Sequence, residues 1–491
     1  MTVDLSHDPR TGAAIDGPEH TAPDQVAGAV AAAAAAFPRV STTPPAERRR
    51  WLDAVAAALD AAADELVDLA DQETALGPVR LRGELTRGAV NMRYYGRVGE
   101  SGRWLRAKVQ TGPGLDLRRA NLPLGPVAVF GASNFPFQFG VVGHDVCSAL
   151  AVGCPVVAKA HPAHPRLSAR LAEITTAALR GTGAPEGTYS LVVGFEAGLA
   201  LVDAPQTAAV AFTGSQRGGM AIVERARRRP HPIPVYAEMG TVNPVLVTPT
   251  GAVRMATVAE EFVASYTLGA GQYCTKPGLL LAPRGARAPD AIATVARGTD
   301  GVWLLSDRIA AAYRDGVAAL SGAGAEVIAT GAALDAGYQV RPTLLRVDPA
   351  DLRPGSRLLE ECFGPVALVA EYADLDQALD VLRRMQPSLT GAAYGGGADD
   401  PDLPRVVAEL AARTGRVVVD GAPTGVACVD AMHHGGPWPA TSEPTASSVG
   451  AQALERFTRP VAFQNVPDAA LPAPLRDGDP WHLAGPAGQV P

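Results

Sequence analysis

The chain is predicted to adopt an α/β fold containing two doubly wound parallel sheets, and three observations lead there. At 491 residues, with 47% hydrophobic content, it exceeds what one hydrophobic core normally serves, so at least two domains are expected. From Gly125 onward, short apolar runs of strand length alternate with helical patterns, which is the pattern of a parallel sheet covered by helices. A second alternating series begins near Val245.

Taken in order, residues 23–70 are alanine-rich with Leu, Val and Trp at helical spacing, and read as two amphipathic helices. The first alternating series runs PVAVFG, DVCSALAVG, PVVAKA, SARLAEITTAAL, SLVVG and AVAFTGS. The second includes VWLLSD, AEVIAT, PVALVAEY, TGAAYGG and GRVVVDG. Two polar, proline-bearing stretches, 110–122 and 456–491, fit neither series. No repeat of solenoid length occurs.

Bulk properties exclude several function classes. The net charge is −7, and the basic clusters ERRR and RARRRP are short enough to be solvated helix faces, which argues against a nucleic-acid groove. The first residues, MTVDLSHDPR, lack the basic and apolar regions of a secretory leader, and no apolar run reaches a membrane span, so the cytoplasm is expected. Five cysteines, odd in number and without a CxxC pair, indicate neither a disulfide framework nor a zinc site.

Cys274 lies in GAGQYCTKPG, and Glu238 in AEMGTVNP. A thiol is mostly protonated at neutral pH, so a nucleophilic cysteine needs a base nearby, and Glu238 is the candidate. An isolated cysteine is more often an inert, buried hydrophobe. Gly269, Gly271, Pro277 and Gly278, however, put this one on an irregular segment, where function concentrates. Asn134 follows an apolar strand and a Gly131-Ala132-Ser133 turn, which places its amide at a strand's carboxyl end. Gly214, Ser215 and Gly219 in FTGSQRGG form a strand-to-helix turn whose free N–H groups could meet a phosphate. Lys159, one of only three lysines, ends PVVAKA.

Four of these segments occur in the order in which the aldehyde dehydrogenase superfamily carries them, and the chain resembles that superfamily along almost its whole length. FGASNFPF resembles the segment with the oxyanion-hole asparagine, FTGS the phosphate turn, GQYC the nucleophile, and EECFGPV the nicotinamide-ribose contact. Within the superfamily, ASNFP, VVAKAHPAHP, PIPVYAEMG, PTGV, HHGGPWPAT and RFTRPVAFQN are most similar to α-ketoglutaric semialdehyde (2,5-dioxopentanoate) dehydrogenases.

The resemblance implies Cys274, Glu238 and Asn134 as catalytic residues, and Phe130, Lys159, Gly214, Ser215, Gly219, Glu361 and Phe363 as cofactor contacts. It implies a dinucleotide-binding domain from 1–107 and 123–239, a catalytic domain over 240–440, and bridging segments, 108–122 and 441–491, that join a homodimer or homotetramer. The reaction expected is NAD(P)-dependent oxidation of an aldehyde to a carboxylic acid. NADP is favoured over NAD because Pro162 stands where NAD-preferring relatives often carry a glutamate, and Lys159, His161, His164 and Arg166 could attract a 2′-phosphate.

The chain also departs from the superfamily pattern. Ser133 replaces a frequent tryptophan, HHGGPWPATSEPTASS replaces the usual GG-x-K-x-SG stretch, and FQFG after Pro136 is unusual. His433 and His434 could suggest a metal or a Cys–His dyad, but no metal is expected, because neighbouring side chains diverge and no carboxylate pattern accompanies them. The substrate expected is a small acid semialdehyde, with Arg93 or Arg87 on its carboxylate and Phe137 and Gln138 in the pocket. Alternatives are a neutral or aromatic aldehyde, acyl transfer to coenzyme A, and a non-catalytic nucleotide-binding protein.

Overall fold

The computed structural model describes residues 2–478 and Trp481. After a short ribbon in which Ser6–His7 pairs antiparallel with Ala14–Ile15, four helices follow: Pro23–Thr42, Pro45–Ala61, Ala63–Thr74 and Pro78–Glu100. Two helices were expected across residues 23–70, and three form. Thr43 and Pro44 are extended, since a residue before proline is driven out of the helical region; the second break is at Ala62, for which the sequence carries no signal.

The first sheet has five parallel strands in the order Tyr189–Val192, Val156–Lys159, Val127–Phe130, Ala209–Gly214, Val235–Met239. Alternate residues of one strand enter different cores. Val127 and Val129 face the cluster that includes Trp51, Leu85 and Leu150, whereas Ala128 packs with Val157, Val210 and Leu201 on the other face. A sheet buried on both sides needs the near-continuous apolar strands seen in the sequence. Strand order reverses between Val127–Phe130 and Ala209–Gly214, and the crevice beyond the carboxyl ends of such a pair is where doubly wound sheets bind ligands.

The second sheet has seven strands, in the order Glu326–Thr330, Thr343–Arg346, Val366–Tyr372, Leu279–Pro283, Pro244–Val247, Gly391–Tyr394, Val417–Val419. All pairings are parallel except the first, which is antiparallel. VWLLSD does not join it: only Val302–Trp303 is extended, paired with Gln339–Val340 in a two-stranded ribbon. Leu304 and Leu305 are buried directly afterwards, so the apolar run that suggested a longer strand serves a buried turn.

The two polar stretches form a third sheet. Lys108–Gly112 and Leu115–Pro123 make a hairpin, and Thr458–Gln464 pairs antiparallel with its second strand. Lys108–Gly112 is a fully exposed edge. The tail beyond 478, apart from Trp481, lies outside the described residues. Among the described residues, no helix is long and apolar enough to cross a membrane.

Candidate active site and cofactor cleft

Cys274 sits on an irregular segment, as its glycines indicated. After the helix Met255–Thr267, three successive residues, Gly269, Ala270 and Gly271, have φ of 55°, 61° and 67°. Ala270 is strained there, and its neighbours escape the penalty only by being glycine. The segment is pinned by Asn243, a wholly buried residue whose Nδ2 donates to the carbonyls of Cys274 at 2.7 Å and Lys276 at 3.0 Å.

Glu238 lies near the end of the strand Val235–Met239 and is buried. The HHGGPWPAT segment runs beside it: Thr441 bridges Glu238, and Met239 N donates to Ala440 O at 2.9 Å. That pairing delivers His434, whose Nε2 lies 3.6 Å from Cys274 Sγ and 3.1 Å from Glu238 Oε1. Ser448 Oγ donates to Glu238 Oε2, while Oε1, although close to the imidazole, makes no aligned hydrogen bond. The three donor atoms lie within 4.8 Å of one another. No local pattern in the sequence marks His434, because the carboxylate beside it comes from a strand about 200 positions earlier.

Electrostatics give the trio a direction. Burial, reinforced by the adjacent Glu238 charge, pushes the Cys274 thiol well above its ordinary value, so the resting form is the thiol. Burial also acts to raise Glu238, but His434, Ser448 and Cys274 outweigh it and hold the carboxyl below its ordinary value. The arrangement is a protonated nucleophile against an ionised acceptor.

Asn134 meets the nucleophile segment directly, its Nδ2 donating to Gln272 O at 2.8 Å. The turn that carries it is held from behind by Glu84, whose Oε1 accepts from Phe137 N at 2.9 Å and Gln138 N at 3.1 Å. Phe137 and Gln138 are accordingly 1% and 8% exposed and bound into the core, not presented to a substrate. On the same turn, the partly buried Phe135 meets Tyr273 edge-on at 4.8 Å, and the buried Phe139 lies 6.4 Å from the His434 ring. Arg93 is also displaced from its expected role, since it faces the surface and pairs with Asp60 at 2.7 Å; Arg87 is exposed. The residue of this helix that reaches the site is Arg80, whose Nη2 donates to Asn134 O at 2.7 Å.

A cleft of about 790 Å³ opens at the strand reversal, lined by Phe130, Lys159, His161, Pro162, Phe212, Gly214, Ser215, Gly218 and Arg308. Its size and polar rim fit a dinucleotide. Ser215 is the N-cap of the helix Gln216–Arg227, its Oγ accepting from Gly218 N at 3.2 Å. Gly219 does not face the cleft; a Cβ there would fall 2.7 Å from Met239 Sδ, so this glycine lets the helix seat on its neighbouring strand. His164 and Arg166 are also elsewhere, His164 buried against Ala132 O and Ser168, and Arg166 bonded to Gln72. Arg308, from the helix Asp307–Gly322, joins the cleft unforeseen.

Glu361 reaches toward the strand that carries Glu238: a Cβ on Gly240 would fall 2.1 Å from its Oε2. Burial raises its carboxyl to about 7. Phe363 is partly exposed beside it.

A thiol set against a buried carboxylate and an imidazole, with a side-chain amide on the adjoining segment and a dinucleotide-sized cleft nearby, suits an oxidoreductase of the cysteine-dependent kind. The model of the aldehyde dehydrogenase family matches residues 5–460, and the chain belongs to that family; it is an NAD(P)-dependent oxidoreductase acting on aldehydes. Alpha-ketoglutaric semialdehyde dehydrogenase 2 of Azospirillum brasilense is 42% identical, the match covering 96% of this chain and 93% of that one. Alpha-ketoglutaric semialdehyde dehydrogenase of Acinetobacter baylyi is 38% identical over 94% and 90%. Among solved structures, 1-pyrroline-5-carboxylate dehydrogenase of Thermus thermophilus superposes with a TM-score of 0.82 at 23% identity, covering 94% of this chain and 89% of that one. PnpE in complex with nicotinamide adenine dinucleotide superposes with a TM-score of 0.81 at 22% identity, covering 94% of each. At such identities these two structures speak to the fold alone.

Proposed function

We propose that the protein oxidises α-ketoglutaric semialdehyde, or a closely similar acid semialdehyde, through a covalent intermediate on Cys274. The observation that carries the chemistry is the meeting of Cys274, Glu238 and His434 beside Asn134. The substrate reading is supported by relatives named for α-ketoglutaric semialdehyde at 42% and 38% identity over more than nine-tenths of this chain.

Cys274 Sγ adds to the aldehyde carbon while its proton passes to Glu238, directly or through His434 Nε2. The carbonyl oxygen takes up the negative charge, and Asn134 Nδ2, turned from Gln272 O, meets it together with the Cys274 N–H. The nicotinamide cofactor, when bound, accepts the hydride that leaves this carbon. Glu238 gives up the first proton to solvent, and the resulting thioester on Cys274 is then cleaved by water, whose proton Glu238 Oε1, buried and free of hydrogen bonds among the described residues, is placed to take; the carbon–sulfur bond breaks, the thiolate recovers that proton, and the acid leaves. Lys159 and Ser215, which line the cleft, would hold the cofactor's ribose and phosphate, and Glu361, set against Gly240, would meet the nicotinamide ribose.

NADP is proposed as a cofactor accepted at least as well as NAD. Pro162 carries no carboxylate, and Lys159, Arg225, Arg228, Arg229 and Arg308 outnumber the two acidic residues, Asp203 and Glu224, that line the same cleft. His161 contributes no charge there, since burial, with His164 and Lys159 nearby, holds its pKa well below the ordinary value. The exposed edge Lys108–Gly112 suits pairing across a subunit interface in a homodimer or homotetramer, and five unpaired cysteines suit a reducing compartment such as the cytoplasm. The test is steady-state turnover of α-ketoglutaric semialdehyde with each cofactor. A kcat/KM for NADP at or above that for NAD is expected; a strong NAD preference would refute the cofactor assignment, and inactivity toward the semialdehyde the substrate assignment.

A further inference from the structure

We infer that Arg80 is the residue that binds the substrate's far carboxylate, and so selects acid semialdehydes over neutral aldehydes. The inference rests on the substrate class proposed above and names the group that would recognise it.

Its placement is the first argument. Arg80 lies in the first turn of the helix Pro78–Glu100, and its guanidinium carbon is 5.1 Å from the ring centroids of both Phe135 and Tyr273. Phe135 directly follows the amide donor Asn134, and Tyr273 directly precedes Cys274. Nη1 also lies against Gly269, where a Cβ would come within 2.3 Å of it. The cation is therefore bracketed by the segment that carries the oxyanion donor and the segment that carries the nucleophile. None of Arg80, Phe135 and Tyr273 lines the dinucleotide cleft. Val79 and Leu268, next in sequence to Arg80 and Gly269, are 88% and 47% exposed, so Arg80 stands near the edge of the fold although its Nε and Nη1 are themselves shielded.

Unused donors are the second argument. Nη2 is spent on Asn134 O, but Nε and Nη1 are shielded from water and have no hydrogen-bond partner. A buried cationic donor left unpaired is costly, and a carboxylate is the group that best relieves it. Other cations near the nucleophile are committed. Arg416 donates to Gly425 O, Pro423 O and Thr390 Oγ1, and Lys276 Nζ donates to Val366 O at 2.8 Å. Glu84, one helical turn after Arg80, is close enough for the Arg80 charge to act on its carboxyl, but among the described residues the two form no hydrogen bond: Oε1 accepts from the backbone of Phe137 and Gln138, and Oε2 has no partner. Aromatic rings on two sides lower the local dielectric and hold the planar cation, which strengthens a charge-assisted bond to an incoming anion.

In the five-carbon substrate, the aldehyde at one end and the keto-carboxylate at the other would then be held by the two bracketing segments. The aldehyde meets Cys274 and Asn134, and the carboxylate meets Arg80. Removing a hydrogen-bonded charge of this kind costs about 1.5–3 kcal/mol, or roughly 10- to 150-fold in binding.

The experiment compares 5-oxopentanoate with pentanal, which is of equal chain length, in the wild type, Arg80→Leu and Arg80→Lys, after each protein's thermal midpoint and cofactor binding have been checked. The ratio of kcat/KM for acid over neutral aldehyde is expected to fall by about 10- to 100-fold in Arg80→Leu, mainly through KM, with part restored in Arg80→Lys; any loss that follows from the broken bond to Asn134 O falls on both substrates and cancels in the ratio. A wild type without preference for the acid refutes the substrate class itself. A wild type that prefers the acid, with the ratio unchanged in both variants, overturns the role of Arg80 alone. Should Arg80→Leu not fold, calorimetric binding of glutarate to Cys274→Ala, with and without Arg80→Gln, decides: weakening of tenfold or more supports the inference, and equal affinity overturns it.

Discussion

Removing Glu84 should loosen the turn that presents Asn134, and the two ways of removing it should differ. Its Oε1 accepts two buried backbone N–H groups, from Phe137 and Gln138. In Glu84→Ala both are stranded, at about 1–3 kcal/mol each, for a total of about 2–6 kcal/mol. Glu84→Gln keeps an acceptor oxygen and loses only the ionisation. Burial raises this carboxyl from its ordinary 4.5 to about 7, with Arg80 and the two N–H groups pulling the other way.

The raised value means that the folded protein binds this proton more tightly than the unfolded chain does. Stability from the group is therefore full below pH 4.5, falls as pH rises toward 7, and levels off above. At about 1.4 kcal/mol for each pH unit between the two values, the loss approaches about 3 kcal/mol. Glu361, also raised to about 7, contributes to the same window in every variant, so the difference from wild type isolates Glu84. Unfolding midpoints at pH 5 and pH 8 provide the assay. Glu84→Gln should match or trail wild type at pH 5 and gain on it by pH 8, whereas Glu84→Ala should be the least stable at both and lose turnover with the loosened turn. Parallel pH dependence in wild type and Glu84→Gln, or equal stability of the Ala and Gln variants, would refute the reasoning.

His434→Gln should slow both turnover and alkylation of Cys274 by iodoacetamide at neutral pH, by about 100-fold, because the imidazole lies within reach of both the thiol and Glu238; unchanged alkylation would remove it from proton transfer. Arg93→Met should leave KM for acid semialdehydes within about twofold of wild type, since its partner is the surface Asp60 and such pairs contribute little; a large rise in KM would place it at the site after all.

Much of the architecture was legible because strands buried on both faces must be continuously apolar, as Val127–Phe130 and Pro244–Val247 are. Cys274 and Asn134 were legible because glycine-rich irregular segments leave local marks. His434 was not, for its meaning comes from Glu238, brought beside it by strand-edge pairing that no local pattern records. Arg80, Arg87 and Arg93 share one helix, and only the packing of its first turn against Phe135 and Tyr273 tells them apart. Gly219 misled for a related reason: a glycine in a turn can serve a phosphate or a neighbouring strand, and Met239 decides which.

The central claim, that Cys274 carries the acyl group and Glu238 drives its release, is tested most directly by rapid mixing of Glu238→Gln with aldehyde and cofactor, followed by mass measurement of the intact protein. The account predicts a first-turnover burst of reduced cofactor and an acyl adduct on Cys274 that clears slowly, with neither seen in Cys274→Ala. Steady turnover at the wild-type rate without an adduct, or an adduct on a residue other than Cys274, would contradict it.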